Sequence, residues 1–305
     1  MRKVNLFIVG AAKSGTTSLY HYLNLHNDIY MPAMKEPHFF TKNVVGKELF
    51  DRDQLLSINF NGIRYIHDEN VYHSLFSQGQ EKKYLGDASP SYLWDEGAAK
   101  RIHEYNPQAK IIILLREPIS RAYSHYQMDF SGGTRFDSSF EKAILRDRQR
   151  KKIWGESGLY IELSQYKKQV EQYFETFNHN NILVIPFEIF ITYTDKYLKK
   201  ICDFLEISYE NFSEQEFNLV HNKTLIYKNK FVWYLVLVLR KIRFLRYIPS
   251  IVNRNFPNFK KSLGKKTIKL DPQQNFRIIE ILKQELKDDI GFYQKIYQDN
   301  IKLFT

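Results

Sequence analysis

The stretch "FIVGAAKSGTTSLYHYL", residues 7–23, decides the fold. A short apolar run ends at Gly10, and Gly15-Thr16-Thr17 opens a segment whose apolar residues fall at helical spacing. A strand, a glycine-bearing turn and a helix together present successive backbone N–H groups and a helix N-terminus to an anion. The nucleotide loop G-x-x-x-x-G-K-[ST] places its Lys directly after the second Gly. Here Gly10 and Gly15 have the right separation, yet Thr16 follows Gly15 and the lysine is Lys13, inside the loop. The loop therefore predicts a phosphate-like ligand held by Ala12, Lys13, Ser14, Gly15, Thr16 and Thr17. The two threonines add hydroxyl donors, and Lys13 adds a mobile point charge.

Outward from the loop, strands and helices alternate. Residues 3–9 read as a buried strand and 16–26 as a helix, followed by a loop over 27–40. A second strand is expected near 83–87. "AKIIILLREP", residues 109–118, is the clearest buried strand, a continuous apolar run suited to the middle of a parallel sheet. Pro118 then opens a helix to about residue 130. Residues 135–152 read as a helix with a basic tail and 158–177 as one periodic helix. Residues 180–190 read as a strand, 194–207 as a helix, and 271–297 as a closing helix. The alternation predicts an α/β fold, a central parallel sheet flanked by helices. No linker rich in Gly, Pro or Ser divides residues 1–305, so one domain is expected, with 208–265 as a less regular insertion.

The strand over 109–115 ends in Arg116, where an NTPase usually carries the Asp that helps hold magnesium. A cation there argues for an anion contacted directly by protein. The Arg fork suits a phosphate, and Ser124, eight residues on, adds a hydroxyl. Two anion sites at neighbouring strand ends are thus expected, with no metal required.

The chain carries +11 net charge over 305 residues, which favours anionic partners or marks a lysine-rich solvated surface. One cysteine, Cys202, excludes an internal disulfide framework and reads as helix core. No secretory signal is evident, and no apolar run reaches membrane-spanning length. The nearest, "FVWYLVLVL" at 231–239, continues into a basic stretch. Residues 231–246 are read either as a membrane-surface contact or as a buried helix with a charged end.

At this point two motifs carry a resemblance. "GAAKSGTTSLYHYL" resembles the 5′-phosphosulfate loop of the sulfotransferases, and "LREPISRAYSHY" their 3′-phosphate motif. "KEPHFF" at 35–40 and "GDASPSYL" at 86–93 resemble segments of the heparan-type, Golgi-class branch and its bacterial relatives. The resemblance implies the P-loop-containing nucleotide-binding fold. It implies 3′-phosphoadenosine 5′-phosphosulfate (PAPS) as donor and 3′-phosphoadenosine 5′-phosphate (PAP) as product. It also implies sulfuryl transfer to a hydroxyl or amine of a glycan or glycolipid.

That chemistry needs a general base for the acceptor proton and a cation for the leaving oxygen. Lys13 fits the cation. Glu36 aligns with the family's base; the other reading is a solvated loop carboxylate paired with Lys35 or Lys42. His38 is the other local candidate, or a residue that orients Glu36 or the acceptor. The family's lysine in the "GDASP" segment is replaced here by Ala88. "KKSLGKKTIKLDP" at 260–272 resembles the basic loop that closes over the donor, with Gly264 and Lys265 as contacts; a solvated basic loop is the other reading. The architecture and a Lys/Asn/Ile-rich composition suggest a bacterial, cytoplasmic enzyme. Two other classes stay open: a P-loop kinase or NTPase, and a non-catalytic polyanion-binding module. No nucleic-acid motif is present.

Overall fold

The computed structural model describes residues 1–50, 63–132, 137, 139–156, 158–212 and 270–303. In chain order these form β1 (Leu6–Gly10), α1 (Thr16–Asn24), β2 (Ile29–Tyr30), β3 (Lys47–Glu48), β4 (Arg64–Tyr65) and α2 (Glu69–Ser74). Then come β5 (Tyr84–Ala88), α3 (Ser91–Trp94), α4 (Ala98–Tyr105), β6 (Lys110–Leu115), α5 (Pro118–Gly132) and α6 (Phe140–Arg148). The chain continues through α7 (Tyr166–Thr176), β7 (Ile182–Pro186), α8 (Phe187–Thr192), α9 (Thr194–Leu205), α10 (Phe276–Glu285) and α11 (Lys287–Ile301).

Five strands form one parallel sheet in the order β2-β5-β1-β6-β7, and β3 and β4 make a separate parallel pair. Leu6 is in register with Gly86 on one side and Lys110 on the other. Every residue of β1 is buried, as expected of a strand covered on both faces. Alternation along the strands splits the core in two. Phe7, Val9, Ile111, Ile113 and Leu115 pack toward α3, α4 and α7. Leu6, Ile8, Ile112 and Leu114 pack toward α1 and α9. Cys202 lies in this second core, where burial pushes its thiol up to about 12, so it serves packing.

The order has a functional consequence. β1 sits between β5 and β6, and the chain leaves it toward β2 and β5 before crossing to β6 and β7. The connections after β1, β5 and β6 therefore meet at the carboxyl edge of the sheet, where ligands of open α/β sheets bind.

Several segments differ from the sequence reading. The loop over 27–40 contains β2, two residues paired with Tyr84 and Leu85. The helix expected over 135–152 is confined to Phe140–Arg148, where Ser139 caps it by accepting from the Lys142 N–H. The helix expected from 158 begins only at Tyr166, after a 3-10 turn over Glu162–Ser164. The buried guanidinium of Arg121 holds that segment in another shape. Its Nε donates to Ser164 Oγ at 2.6 Å, and its Nη2 donates to the Tyr160 carbonyl. The strand expected over 180–190 gives way to helix at Phe187, and the closing helix is two helices that meet at Leu286. Most of 208–265 falls outside the described residues.

Candidate active site

The loop between β1 and α1 turns through two residues in the left-handed region, Lys13 (φ 70°) and Gly15 (φ 88°). Gly15 has a second constraint, since a Cβ there would meet the Phe187 ring at 2.8 Å. Gly10 is constrained by packing, with Leu93 Cβ 2.6 Å from where its own Cβ would lie. Gly15 occupies the N-cap of α1 and brings no side chain, so no side-chain cap closes the helix N-terminus. Thr16 and Thr17 form its first turn, Thr16 buried and Thr17 half-buried. Ser14 is turned inward. Its side chain is fully buried beside the Tyr166 hydroxyl, and its N–H donates to the Ala11 carbonyl at 3.2 Å. Ser14 thus shapes the turn, while Ala12 stays half-buried at its surface.

Lys13 sends its ammonium across to α5, where Nζ lies 3.3 Å from Met128 Sδ. Burial, and then Arg116, pull its pKa down to about 8, against the pull of Asp129 and Glu36. Ser124 sits one helical turn before Met128 on the same face of α5, half-buried, so it borders the same space.

Arg116 follows β6 and joins the two anion motifs directly: its Nη1 donates to the Lys13 carbonyl at 3.3 Å. Its guanidinium lies 5.0 Å from the Phe187 ring centroid, a cation–π arrangement. Its Nε is buried with no hydrogen-bond partner, 4.0 Å from Glu188 Oε1. The neighbouring helix end offers no further anion site. The Glu117 carboxylate accepts from the N–H groups of Ile119 at 3.0 Å and Ser120 at 2.7 Å and so caps α5. Between the two helices that follow the anion motifs, α1 and α5, it is the N-terminus of α1 that carries no side-chain cap.

The segment 35–40 brings Glu36 and His38, both at positive φ (62° and 54°). Non-glycine residues there are strained and persist only where the surroundings hold them. The holding groups come from the end of β5 and the start of α3. Ser89 Oγ accepts from the His38 N–H at 3.3 Å, and Ser91 Oγ is 2.7 Å from His38 Nδ1. Beneath them, buried Asp87 accepts from the hydroxyls of Ser89, Tyr72 and Tyr92 at 2.7–2.9 Å. Desolvation still raises its pKa to about 6.

Glu36 pairs with Lys35, and its side chain is 36% exposed. Burial pushes its carboxyl up, but Lys35, His38 and Lys13 together hold it below the ordinary value. Glu36 and Lys13 each shift the other's titration, so the loop from β1 and the segment 35–40 share one site. His38 is driven down to about 4, chiefly by burial, and is neutral at physiological pH. Glu36 and His38 also line a cavity of about 480 Å³ that runs past Tyr30, Met34 and Leu75 to Arg64.

Local sequence reading missed Arg121, Asp87 and Ser91. Arg121 sits five residues after Arg116 in the same motif, and Asp87 and Ser91 lie inside "GDASPSYL". Their signal was present, but the partners of Arg121 and Ser91 are 39 to 53 residues away in the chain. Tyr160 is buried, and its hydroxyl donates to Asp129 Oδ2 at 2.7 Å. Gly264, Lys265 and the stretch 231–246 lie outside the described residues. Among the described residues no helix is long and apolar enough to cross a membrane, and no three His, Cys, Asp or Glu side chains gather as a metal site.

Comparison with known proteins bears on the family and the fold. The model of a sulfotransferase family matches residues 5–211. A sulfotransferase from Alicyclobacillus acidocaldarius superposes with a TM-score of 0.60 at 34% identity, covering 68% of this chain and 83% of that one. Mouse carbohydrate sulfotransferase 15 is 30% identical over 164 residues, 45% of this chain and 29% of that protein. Mouse heparan sulfate glucosamine 3-O-sulfotransferase 3A1 is 26% identical over 198 residues, 65% of this chain and 44% of that protein. The chain thus spans less than half the length of these two curated relatives.

Proposed function

The chain belongs to the sulfotransferase family, and from that premise we propose that it moves the sulfuryl group of PAPS to a hydroxyl or amine of a glycan or glycolipid. The observation that carries the proposal is the bond from Arg116 to the Lys13 carbonyl. It joins a helix N-terminus without a side-chain cap to an arginine at the next strand end, a pair suited to a donor bearing two separated anionic groups.

In this reading the 5′-phosphosulfate lies on the turn from Ala12 to Thr17, and Arg116 and Ser124 take the 3′-phosphate. The acceptor oxygen or nitrogen forms a bond to sulfur as the bond from sulfur to the bridging oxygen breaks. Glu36 takes the acceptor proton. Lys13 neutralises the charge that grows on the bridging oxygen and can donate a proton to it. With a pKa near 8, Lys13 is mostly charged at neutral pH yet gives up its proton more readily than an ordinary lysine. Glu36 is ionised at neutral pH and ready to accept. Neutral His38, 3.9 Å from Glu36 Oε2, serves to orient it. The cavity leading from Glu36 toward Arg64 is large enough for a sugar unit.

The glycan acceptor is supported by the names of the carbohydrate and heparan sulfate relatives. Gly264 and Lys265 as a closing contact, membrane-surface contact through 231–246, a bacterial origin and a cytoplasmic location, where PAPS is made, complete the proposal.

The test is transfer of labelled sulfate from PAPS to desulfated heparan and to sulfate-free glycolipid, with a chelator present. We expect transfer to a carbohydrate with no loss on chelation. Glu36→Gln is expected to lower kcat by about a hundredfold or more with PAP binding unchanged. Full activity in Glu36→Gln together with none in His38→Ala would move the base to His38.

A further inference from the structure

His38 and Ser91 lie 53 residues apart in sequence, and their side chains meet at 2.7 Å through Nδ1 and Oγ. Ser91 Oγ is in turn 2.6 Å from Thr41 Oγ1. All three residues are buried, at 2% exposure or less. On the other side of the ring, His38 Nε2 lies 3.9 Å from Glu36 Oε2. Thr41, Ser91, His38 and Glu36 therefore stand in one line that ends at the carboxylate.

A neutral imidazole carries its proton on one nitrogen only. With the proton on Nδ1, the Nε2 lone pair would face the Glu36 carboxylate, acceptor against acceptor. With the proton on Nε2, the N–H faces the carboxylate and Nδ1 is free to accept from Ser91. Ser91 then accepts from Thr41, and each of these hydroxyl protons in the buried chain has an acceptor. We propose that Ser91, backed by Thr41, is a positioning residue: its hydroxyl donates to His38 Nδ1, fixes the Nε2–H tautomer and directs that N–H at Glu36.

The inference rests on the reading of Glu36 as the base. The low pKa of His38 supports it, because a ring that is neutral throughout the working range has a tautomer to fix. The backbone is held as well. Ser89 Oγ accepts the His38 N–H and donates to Asp87, so two serines on one short segment grip the ring and the main chain of His38. Occupied by Ser91, the Nδ1 lone pair is unavailable to an acceptor substrate, which leaves proton removal to Glu36.

Nitrogen NMR of protein labelled at its histidine rings reads the tautomer directly, with the His38 signals assigned by their loss in His38→Gln. The wild-type ring is expected to carry its proton on Nε2. Ser91→Ala is expected to show a mixture of tautomers, a kcat for desulfated heparan lowered about tenfold, and a KM for PAPS within about twofold of wild type. Ser91→Thr, which keeps the hydroxyl, is expected to restore the single tautomer. A wild-type ring protonated on Nδ1, or a Ser91→Ala spectrum identical to wild type, would overturn the proposal. The wild-type spectrum decides even if the variants fold poorly. The two readings separate cleanly, since undiminished transfer by Glu36→Gln would overturn the catalytic assignment whatever the tautomer of His38.

Discussion

The Lys13 ammonium lies 3.3 Å from the Met128 thioether, a partner that offers almost no charge. A lysine paired with a carboxylate would have to break an ion pair to reach a ligand. Lys13 is instead held half-buried, with its pKa drawn down to about 8 and its strongest charged neighbour, Arg116, repelling it. Its position suits a group that awaits negative charge. Lys13→Ala is expected to lower transfer by at least about a hundredfold, the cost of removing one group that stabilises a developing oxyanion. The loss should fall mainly on kcat, with PAP affinity reduced far less. Single-turnover measurements separate the two, and undiminished turnover in Lys13→Ala would remove it from the leaving-group role.

Arg116 is expected to act on binding. Its guanidinium is pre-set by the Phe187 ring, the Lys13 carbonyl and, at 4.0 Å from Nε, the Glu188 carboxylate. Arg116→Ala should weaken PAP by about ten- to a hundredfold, a loss of roughly 1.5–3 kcal/mol for charge-assisted hydrogen bonds. Arg116→Lys should recover little, because a point charge cannot reproduce the planar fork. Calorimetric titration with PAP checks both, and wild-type affinity in Arg116→Ala would remove it from the 3′-phosphate site.

The loop from Gly10 to Thr17, β6 and Arg116 were legible because their signals are local: an apolar run, a glycine, a proline at a helix start. β2 was not, since two residues carry no periodicity and acquire their strand character only from Tyr84 and Leu85. Residues 158–165 have helical periodicity, yet Arg121 on another element takes the Tyr160 carbonyl and the Ser164 hydroxyl. The break at Leu286 likewise interrupts an unbroken apolar pattern, and tertiary packing overrides propensity there. In the site, Lys13, Glu36, His38 and Arg116 stand out in the sequence one by one as chemistry-bearing residues, whereas Arg121, Asp87 and Ser91 do not. What joins them was not: Lys13 to Met128 is 115 residues apart and Ser91 to His38 is 53.

Two buried groups near the base have opposite pH dependences. Asp87 has a folded pKa of about 6, above its unfolded value, so the native state holds the extra proton and stability from this group falls as pH rises from about 4 to 6. His38 has a folded pKa of about 4, below its unfolded value, so the unfolded state holds the extra proton and stability from this group rises over about pH 4 to 6.5. The two largely offset each other in the wild type. Relative to wild type, Asp87→Asn should become more stable with rising pH across this window, and His38→Gln less stable. Thermal melts at closely spaced pH values measure both slopes. Parallel melting curves for wild type and either variant would contradict the burial assigned to that group.

The most direct measurement of the central claim is thermal stability with PAP and, separately, with ATP plus magnesium. Ligand at about a hundred times its dissociation constant stabilises a fold by roughly 2.7 kcal/mol, a readily measured shift. The account predicts a shift with PAP that is unchanged by chelator, nearly lost in Arg116→Ala, and absent with Mg-ATP. A shift with Mg-ATP and none with PAP would contradict it and make the turn from Gly10 to Thr17 a nucleoside triphosphate site.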